Sequence, residues 1–261
     1  MDAPTLLTVI VPAFNEATRI PATLRAISEH FARAPFPVEL IVVDDGSRDE
    51  TASVVRDAAV RIALPLRLLR YAPNRGKGFA LKVGFAASRG DRVLFSDADL
   101  STPIEEIEKM LPLIECGYDL VIGSRAHADA DIRQHQPAYR EGAGKLFNLL
   151  VRVAVRLPFH DTQCGFKLFR RDPVLPIVRQ LEVDRFAFDV ELIAMAQAAG
   201  LKVAEVPVIW VNSPQSRVGL WYGAQAFADL LRIRRAARRV AARPGLSADR
   251  AETPPAATGR R

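Results

Sequence analysis

The chain has 261 residues, 49% of them hydrophobic and 25% charged, which supports a full core in one large domain with small additions and excludes a disordered polypeptide. Its net charge of +6 gathers at one end: from Arg232 to Arg261 nine arginines face only Asp249 and Glu252, leaving the first 231 residues near neutral. Cys116 and Cys164 are the only cysteines and stand far apart, which excludes a zinc cluster, argues against a disulfide framework and fits a reducing compartment.

The N-terminus MDAPTLLTVIVPAF has no basic n-region, so no signal peptide is expected. No apolar stretch approaches the roughly 18 residues that a membrane span needs. Thr8–Val11 predicts a short strand, followed by Asn15, Glu16 and a helix to about Ala32. Leu40–Val43 repeats the pattern and ends in DDGSRDET, where Ser47 or Asp49 is placed to cap a helix through Ala59. Leu66–Arg70 and Val93–Ser96 predict strands on either side of a helix from Lys77 to Ser88, and Leu120–Ile122 predicts another strand. Continuous apolar strands alternating with helices read as parallel βαβ units, an α/β fold whose sheet is covered on both faces. After Arg125 come a polar loop (AHADADIRQHQ), a helix from about Glu141 to Leu157, and a second polar cluster, DTQCGFK. Strand character returns over Val203–Trp210, and Gly219–Ala242 reads as one amphipathic helix. The predicted division is a main domain over 1–218, the helix over 219–243 and a basic tail over 244–261 whose Pro, Ala, Thr and Arg predict disorder.

In such sheets ligands bind beyond the carboxyl ends of the strands, and PAFNE, DDGS, DAD and GSR all follow strands directly. Asp97 and Asp99 in FSDADLS are two apart just past a strand, a spacing that in extended chain sends both side chains to one side. Adjacent carboxylates repel, and a hard divalent cation relieves them: Mg2+ or Mn2+ takes carboxylate oxygen, keeps several waters and accepts diphosphate oxygens. Such an ion also stabilises charge on a departing nucleotide. An Asp-x-Asp alone is common in solvated turns; two further acidic clusters at sheet exits give it weight. In IVVDDGS, Asp44 or Asp45 can accept hydrogen bonds from a base or a ribose, and PAFNE adds Glu16 after Pro12 fixes the exit of the chain.

NRGKGFA fits neither the P-loop nor the dinucleotide fingerprint, which rules against a P-loop ATPase and a Rossmann dehydrogenase. Arg75 and Lys77 beside flexible glycines still suit a diphosphate at a helix N-terminus. His30, His127, His135 and His160 are dispersed, against a histidine metal site or a catalytic triad. A phosphate monoester acceptor is anionic near neutral pH and needs cationic placement rather than a strong base; Arg125, Arg140 and Arg217 are the candidates.

Taken in order, PAFNE, VVDDGS, NRGKG, DADLS, GSR and DTQCGFKLF resemble family 2 glycosyltransferases of the GT-A fold, in the branch of dolichyl-phosphate β-glucosyltransferases and other polyprenyl-phosphate glycosyltransferases. The likeness runs from about Thr8 to Arg239, and DTQCGFKLF, RFAFDVEL and VAEVPVIW are its more specific parts. The resemblance implies a Rossmann-like, mostly parallel central sheet flanked by helices. It also implies an inverting transfer of one hexose from a nucleotide-sugar donor, UDP-glucose or in close relatives GDP-mannose, to a polyprenyl phosphate acceptor. By motif, Pro12, Glu16, Asp44 and Asp45 would hold the nucleoside, and Asp97 with Asp99 the metal and diphosphate. Arg125, Arg140 and Arg217 would meet phosphates, and Asp189 and Glu191 of FDVE would face the sugar. Ser101, where mannose-transferring relatives often carry Gln, leans towards glucose. The Gln-x-x-Arg-Trp signature of processive synthases is absent, so one sugar per acceptor is expected. The chain shows no N-terminal membrane anchor of the kind eukaryotic dolichol enzymes carry, which keeps undecaprenyl phosphate beside dolichyl phosphate as acceptor. A glycosyltransferase with a non-lipid acceptor is the alternative reading, and a sugar-nucleotide binding module without turnover is the reading from outside the enzymes.

Two helical stretches offer contact with a lipid surface. Lys145, Arg152 and Arg156 share a face beside Leu149, Leu150 and Val153. Leu220, Trp221, Phe227, Leu230 and Leu231 lead into Arg232, Arg234, Arg235, Arg238 and Arg239. Apolar faces bordered by arginine suit helices lying in the membrane interface, so peripheral association with the inner face of the cell membrane, from the cytoplasm, is expected. No aromatics interleave the arginines, so nucleic acid is not an expected partner. Homo-oligomerisation is left open.

Overall fold

The computed structural model describes residues 6–134, 138–185, 187–212 and 222–242, and the side chains of these except 138–141, 143–147 and 222–228. The chain runs β1 (Leu7–Ala13), α1 (Ile20–Phe31), β2 (Val38–Asp45), α2 (Thr51–Ala59), β3 (Leu66–Tyr71), α3 (Lys77–Ala87) and β4 (Arg92–Ser96). A 3-10 turn at Ile104–Glu106 leads into α4 (Ile107–Glu115) and β5 (Leu120–Ser124), then β6 (Asp131–Gln134) and α5 (Ala138–Val155). The remainder is β7 (Phe166–Arg170), α6 (Arg171–Gln180), α7 (Phe188–Ala198), β8 (Val203–Pro207), β9 (Ile209–Val211) and α8 (Tyr222–Ala241).

Seven strands form one sheet in the order β3-β2-β1-β4-β7-β5-β8, and β6 pairs with β9 in a small second sheet. All the main-sheet pairings are parallel except those of β7, which runs antiparallel to both β4 and β5. The strands are apolar on both faces because both faces are covered. Leu7, Val9 and Val11 of β1 with Leu40 and Val42 of β2 pack under α1, α2 and α4. The alternate residues Ile10, Ile41, Val43, Val93 and Phe95 pack under α3, α6 and α7. The side-chain period of two divides one strand between two cores. On α1, Ile20, Leu24, Ile27 and Phe31 recur at helical spacing and are all buried.

The antiparallel β7 is the consequential departure from the sequence reading, which took DTQCGFK as a polar cluster. Its last residues start a strand, FKLFR, and Phe166 pairs with Ser96 at the very end of β4. A reversed strand brings its amino end, not its carboxyl end, to the ligand-binding rim, so Gly165 arrives beside Asp97. A second departure is β6, within the segment read as a polar loop; its partner β9 has Ile209 opposite Asp131. The helix α4 and the helix α6 were also not anticipated, each carrying an internal proline, Pro112 and Pro176.

The amphipathic helix expected to lie on a membrane begins at Tyr222, and in its described part the apolar side is already covered. Leu230, Ile233, Ala236 and Val240 are buried in the same core as α7. Helix α7 is buried from Phe188 through Ala196, so it is covered on every side, and α8 supplies part of that cover. The arginines face outward: Arg232, Arg234, Arg235, Arg238 and Arg239 are exposed. The tail expected from 244 onward lies outside the described residues.

Ile233→Ala should therefore lower the unfolding free energy by about 2–4 kcal/mol, the range for truncating a buried aliphatic side chain, when measured by urea denaturation without lipid. Arg235→Ala on the same helix should stay within about 0.5 kcal/mol. Equal midpoints for the two variants would show that this face is not part of the core.

Candidate active site

At the carboxyl rim of the sheet a cleft of about 380 Å³ is lined by Pro12, Ala13, Phe14, Glu16 and Arg19 after β1, Asp45 of β2, Asn74, Gly76 and Lys77 before α3, Asp97, Ala98 and Asp99 after β4, and Arg185 before α7. Small-molecule sites are commonly about 300–1,000 Å³. Of the expected nucleoside-side residues, Pro12, Glu16 and Asp45 line this cleft and Asp44 does not. Asp44 is fully buried; its Oδ1 accepts the Ser47 amide at 2.8 Å, and its Oδ2 lies 3.0 Å from Arg70 Nε. It holds the turn from behind.

Asp45 organises the glycine loop. Its carboxylate accepts Asn74 Nδ2 at 2.7 Å, the Arg75 amide at 2.7 Å and the Gly76 amide at 2.8 Å. Gly76 sits at φ +110°, and a Cβ there would stand 2.5 Å from the Asp184 carbonyl oxygen, so only glycine fits. Arg75 turns out of the cleft lining: its guanidinium lies 3.4 Å from the Phe79 ring centroid and pairs with Asp184 at 3.0 Å. Lys77 stays in the cleft, with Nζ 2.5 Å from Asp97 Oδ1.

Asp97 and Asp99 face one cleft, as expected, but by a different geometry. Strand β4 stops at Ser96, and the pair sits in a turn: the Leu100 amide donates to the Asp97 carbonyl at 3.3 Å, and Leu100 takes a positive φ of 45°. The Ser101 amide donates to Asp99 Oδ1 at 3.0 Å and aims that carboxylate. Arg19, gripped by Glu16 at 2.6 and 2.5 Å, brings Nη1 to 3.7 Å from Asp99 Oδ2. The bonds from Glu16 hold the Arg19 charge more firmly than usual against the cost of burial, with Asp99 and Asp97 adding to it. At Lys77 burial opposes the charge and Asp97 and Asp189 outweigh it, so its pKa is raised.

Behind Asp97 stands Gly165. A Cβ on Gly165 would lie 2.0 Å from Asp97 Oδ2 and 2.4 Å from its Cγ, so the carboxylate occupies the space a side chain would need. Deeper still, the fully buried Lys167 places Nζ 2.5 Å from Asp189 Oδ1 and also bonds the Cys164 carbonyl. Burial raises the Asp189 pKa, and Lys167 and Lys77 pull it back down. Glu191 differs from the expectation that it faces the sugar. It is fully buried and accepts the amides of Glu182 and Val183, the latter at 2.8 Å. Its carboxylate is spent on backbone, with burial raising its pKa against those donors.

Arg125 is committed as well. Nε and Nη2 form a fork on Asp161 at 2.6 and 3.0 Å, and the Arg125 amide donates to the same carboxylate at 3.1 Å. Burial works to raise the Asp161 pKa, and the Arg125 charge and hydrogen bonds overcome it and lower it. Arg140 falls in α5 with its side chain outside the described residues, and Arg217 lies outside them altogether.

The donor set fits a divalent ion that takes substrate oxygens. Two hard carboxylates face the cleft, and the compact ammonium of Lys77 beside Asp97 shows that a cation can reach them. Mg2+ typically uses one or two carboxylates with phosphates and waters. Among the described residues no group of three or more His, Cys, Asp or Glu is arranged to hold a metal, so the remaining ligands would come from substrate and solvent. Sequence reasoning missed Arg19, Gly165, Lys167 and Arg185. Arg19 follows Glu16 by three residues inside the first polar segment, and the other three lie within DTQCGFK and RFAFDVEL, motifs noted for likeness and given no geometry.

Residues 8–175 match the family model described as Glycosyl transferase family 2. Dolichyl-phosphate beta-glucosyltransferase from Homo sapiens is 36% identical over 251 residues, covering 89% of this chain and 76% of that protein. The protein of the same description from Drosophila melanogaster is 37% identical over 246 residues, again covering 89% and 76%. Among solved structures, glucosyl-3-phosphoglycerate synthase from Mycobacterium tuberculosis in complex with Mn2+, uridine diphosphate and glucosyl-3-phosphoglycerate superposes with a TM-score of 0.65 at 22% identity, covering 88% of this chain and 80% of that one. The shared architecture is the GT-A fold expected from the motifs.

Removing Arg125 strands the Asp161 carboxylate, which is about 1% exposed, while the arginine itself is about 30% exposed. Arg125→Leu should cost about 3 kcal/mol in chemical denaturation, the low end for breaking a buried pair, and pairing it with Asp161→Leu should recover most of the loss. A single variant as stable as the parent would show that the pair is not a structural lock.

Proposed function

The chain belongs to glycosyl transferase family 2, and we propose that it moves a single hexose, glucose from UDP-glucose, with inversion onto a polyprenyl phosphate, dolichyl or undecaprenyl, at the cytoplasmic face of a membrane. The observation that carries the proposal is the convergence of Asp97 and Asp99 on a cleft also lined by Asn74, Gly76 and Lys77. The names of the dolichyl-phosphate relatives support the acceptor and the sugar.

In this mechanism Pro12, Glu16 and Asp45 border the nucleoside, with Asp44 bracing the turn behind them. Asp97 and Asp99 would hold Mg2+ or Mn2+, which when bound offsets the negative charge that the diphosphate gains as the sugar leaves. Lys77 adds a compact positive charge in the same cleft. Asp189, whose charge is felt by both Lys77 and Asp97, backs the sugar end, and Lys167 keeps that buried carboxylate in place. An acceptor phosphate oxygen forms the bond to the anomeric carbon as the bond to the diphosphate oxygen breaks, and the electron pair departs with the nucleotide. A phosphate monoester already carries negative charge, so no protein base is needed. The fork of Arg125 on Asp161 leaves Nη1 for the acceptor phosphate, and Arg140 and Arg217 are assigned to the same oxygens by motif.

No helix among the described residues is long and apolar enough to cross a membrane. The acceptor's prenyl chain instead calls for a surface that meets lipid. On α5, Leu149 and Val153 are 55% and 70% exposed, and Arg152 and Arg156 are exposed beside them. On α8, Leu231 is exposed among outward arginines. Apolar tips ringed by arginine suit an anionic interface.

Asp99→Ala should cut transfer at least about a hundredfold with the fold retained, since the variant loses several kcal/mol of charge stabilisation in the transition state. Undiminished turnover would remove Asp99 from the site. Gly165→Ala, which displaces the Asp97 carboxylate without deleting it, should lose activity comparably while circular dichroism and the thermal midpoint hold. With labelled UDP-glucose and undecaprenyl or dolichyl phosphate, the label should pass into the organic phase. Label that stays aqueous with every lipid phosphate would overturn the acceptor assignment.

A further inference from the structure

The cleft's described cations are unequally committed. Arg19 is gripped by Glu16, and Lys77 lies on Asp97. The side chain of Arg185, exposed and on the lining of the same cleft, has no hydrogen bond or ion pair among the described residues. A cation left without a carboxylate beside so many acidic groups needs a reason for its position.

Its position is built rather than incidental. The segment 181–185 is tied down from several directions: Lys82 Nζ donates to the Leu181 carbonyl at 3.1 Å and to Asp184 Oδ1 at 2.5 Å. Arg75 takes the other Asp184 oxygen at 3.0 Å, and the Phe79 amide donates to the Asp184 carbonyl at 3.2 Å. The buried Glu191 accepts the amides of Glu182 and Val183, and the Phe188 amide donates to the Arg185 carbonyl at 3.3 Å. The stem of Arg185 runs over Gly76, where a Cβ would meet Arg185 Cγ at 3.1 Å and its Cα at 3.2 Å. Arg75 and Glu191 thus act at one remove, by fixing the backbone that carries Arg185 against the glycine loop.

We infer that Arg185 is a phosphate-oxygen ligand of the cleft, placed across Gly76 and Lys77 to grip the diphosphate of the donor; this rests on the nucleotide-sugar reading above. A guanidinium presents a planar fork that matches two phosphate oxygens, which a lysine cannot reproduce. Its substitution is free of structural cost because nothing described depends on the side chain, so Arg185 is a positioning group for the leaving diphosphate and not a strut.

The test titrates UDP, and separately inorganic pyrophosphate, in Mg2+ buffer into the full chain and into Arg185→Ala and Arg185→Lys by calorimetry. Arg185→Ala should weaken both probes about tenfold or more, as expected for a lost charge-assisted contact. Arg185→Lys should recover only part of the loss, and thermal midpoints should not move. Unchanged affinity of Arg185→Ala for both probes overturns the assignment. A raised KM for undecaprenyl phosphate with unchanged UDP affinity overturns it in favour of the acceptor's phosphate. Failure of the unmodified protein to bind UDP while it binds pyrophosphate would instead count against the UDP-sugar reading, and the pyrophosphate arm would still read Arg185.

Discussion

The crowding of negative charge around Asp97 is the constraint on which the rest of the rim depends. Asp97, Asp99, Asp189 and Glu16 gather at the ends of the strands and the start of α7, where like charges repel and each has a cation near it. Lys77 serves Asp97, Arg19 serves Glu16 and approaches Asp99, and Lys167 serves Asp189. The pairs alternate through the rim, so the field at any one carboxylate is set by several elements at once. That explains why Lys77 feels Asp189 and why Asp189 feels Asp97 although the three come from distant parts of the chain.

Backbone geometry makes this packing of charge achievable. The reversed β7 lays its amino end along β4, so Gly165 can stand where only a residue without a side chain leaves room for the Asp97 carboxylate. Two residues later Lys167 points inward, its stem within the sheet and its ammonium on Asp189. β7 and the glycine before it therefore supply both the space for the Asp97 carboxylate and the counter-charge for Asp189. Gly76 does the corresponding work before α3, by letting the 184–185 backbone lie against the loop that Asp45 holds.

The parallel half of the sheet was legible in the sequence because buried strands and their following polar clusters repeat with a regular order, and the cleft-lining residues Pro12, Glu16, Asp45, Lys77, Asp97 and Asp99 were found that way. What was not legible depends on contacts between segments far apart in the chain. The assignment of Glu191 to the sugar and of Arg75 to the diphosphate rested on residue type and neighbourhood in sequence; their partners, the 182–183 amides and Asp184, come from the loop before α7. That Arg125 commits two of its nitrogens to a partner 36 residues later, Asp161, cannot be seen from spacing. Asp97 and Asp99 were paired for the wrong geometric reason, an extended chain where there is a turn at Leu100, yet with the right outcome, since both a strand and a tight turn can aim residues two apart into one cleft.

The C-terminal helix shows the same limit in its sharpest form. Amphipathicity states that one side of a helix is apolar and says nothing of what covers it. A lipid interface and a neighbouring helix select the same pattern of leucine, isoleucine and arginine, and the decision lies with α7, whose residues from Phe188 through Ala196 are all buried. An α7 without a lid would expose a continuous apolar surface, whereas α8 laid upon it buries Leu230, Ile233, Ala236 and Val240 and turns its arginines to the outside. The arginines of the described part of α8 are thereby displayed on the surface, and Leu149, Val153 and Leu231 are among the apolar side chains that the core leaves uncovered. A pattern in one helix can thus be read only after the needs of the helix beneath it are known.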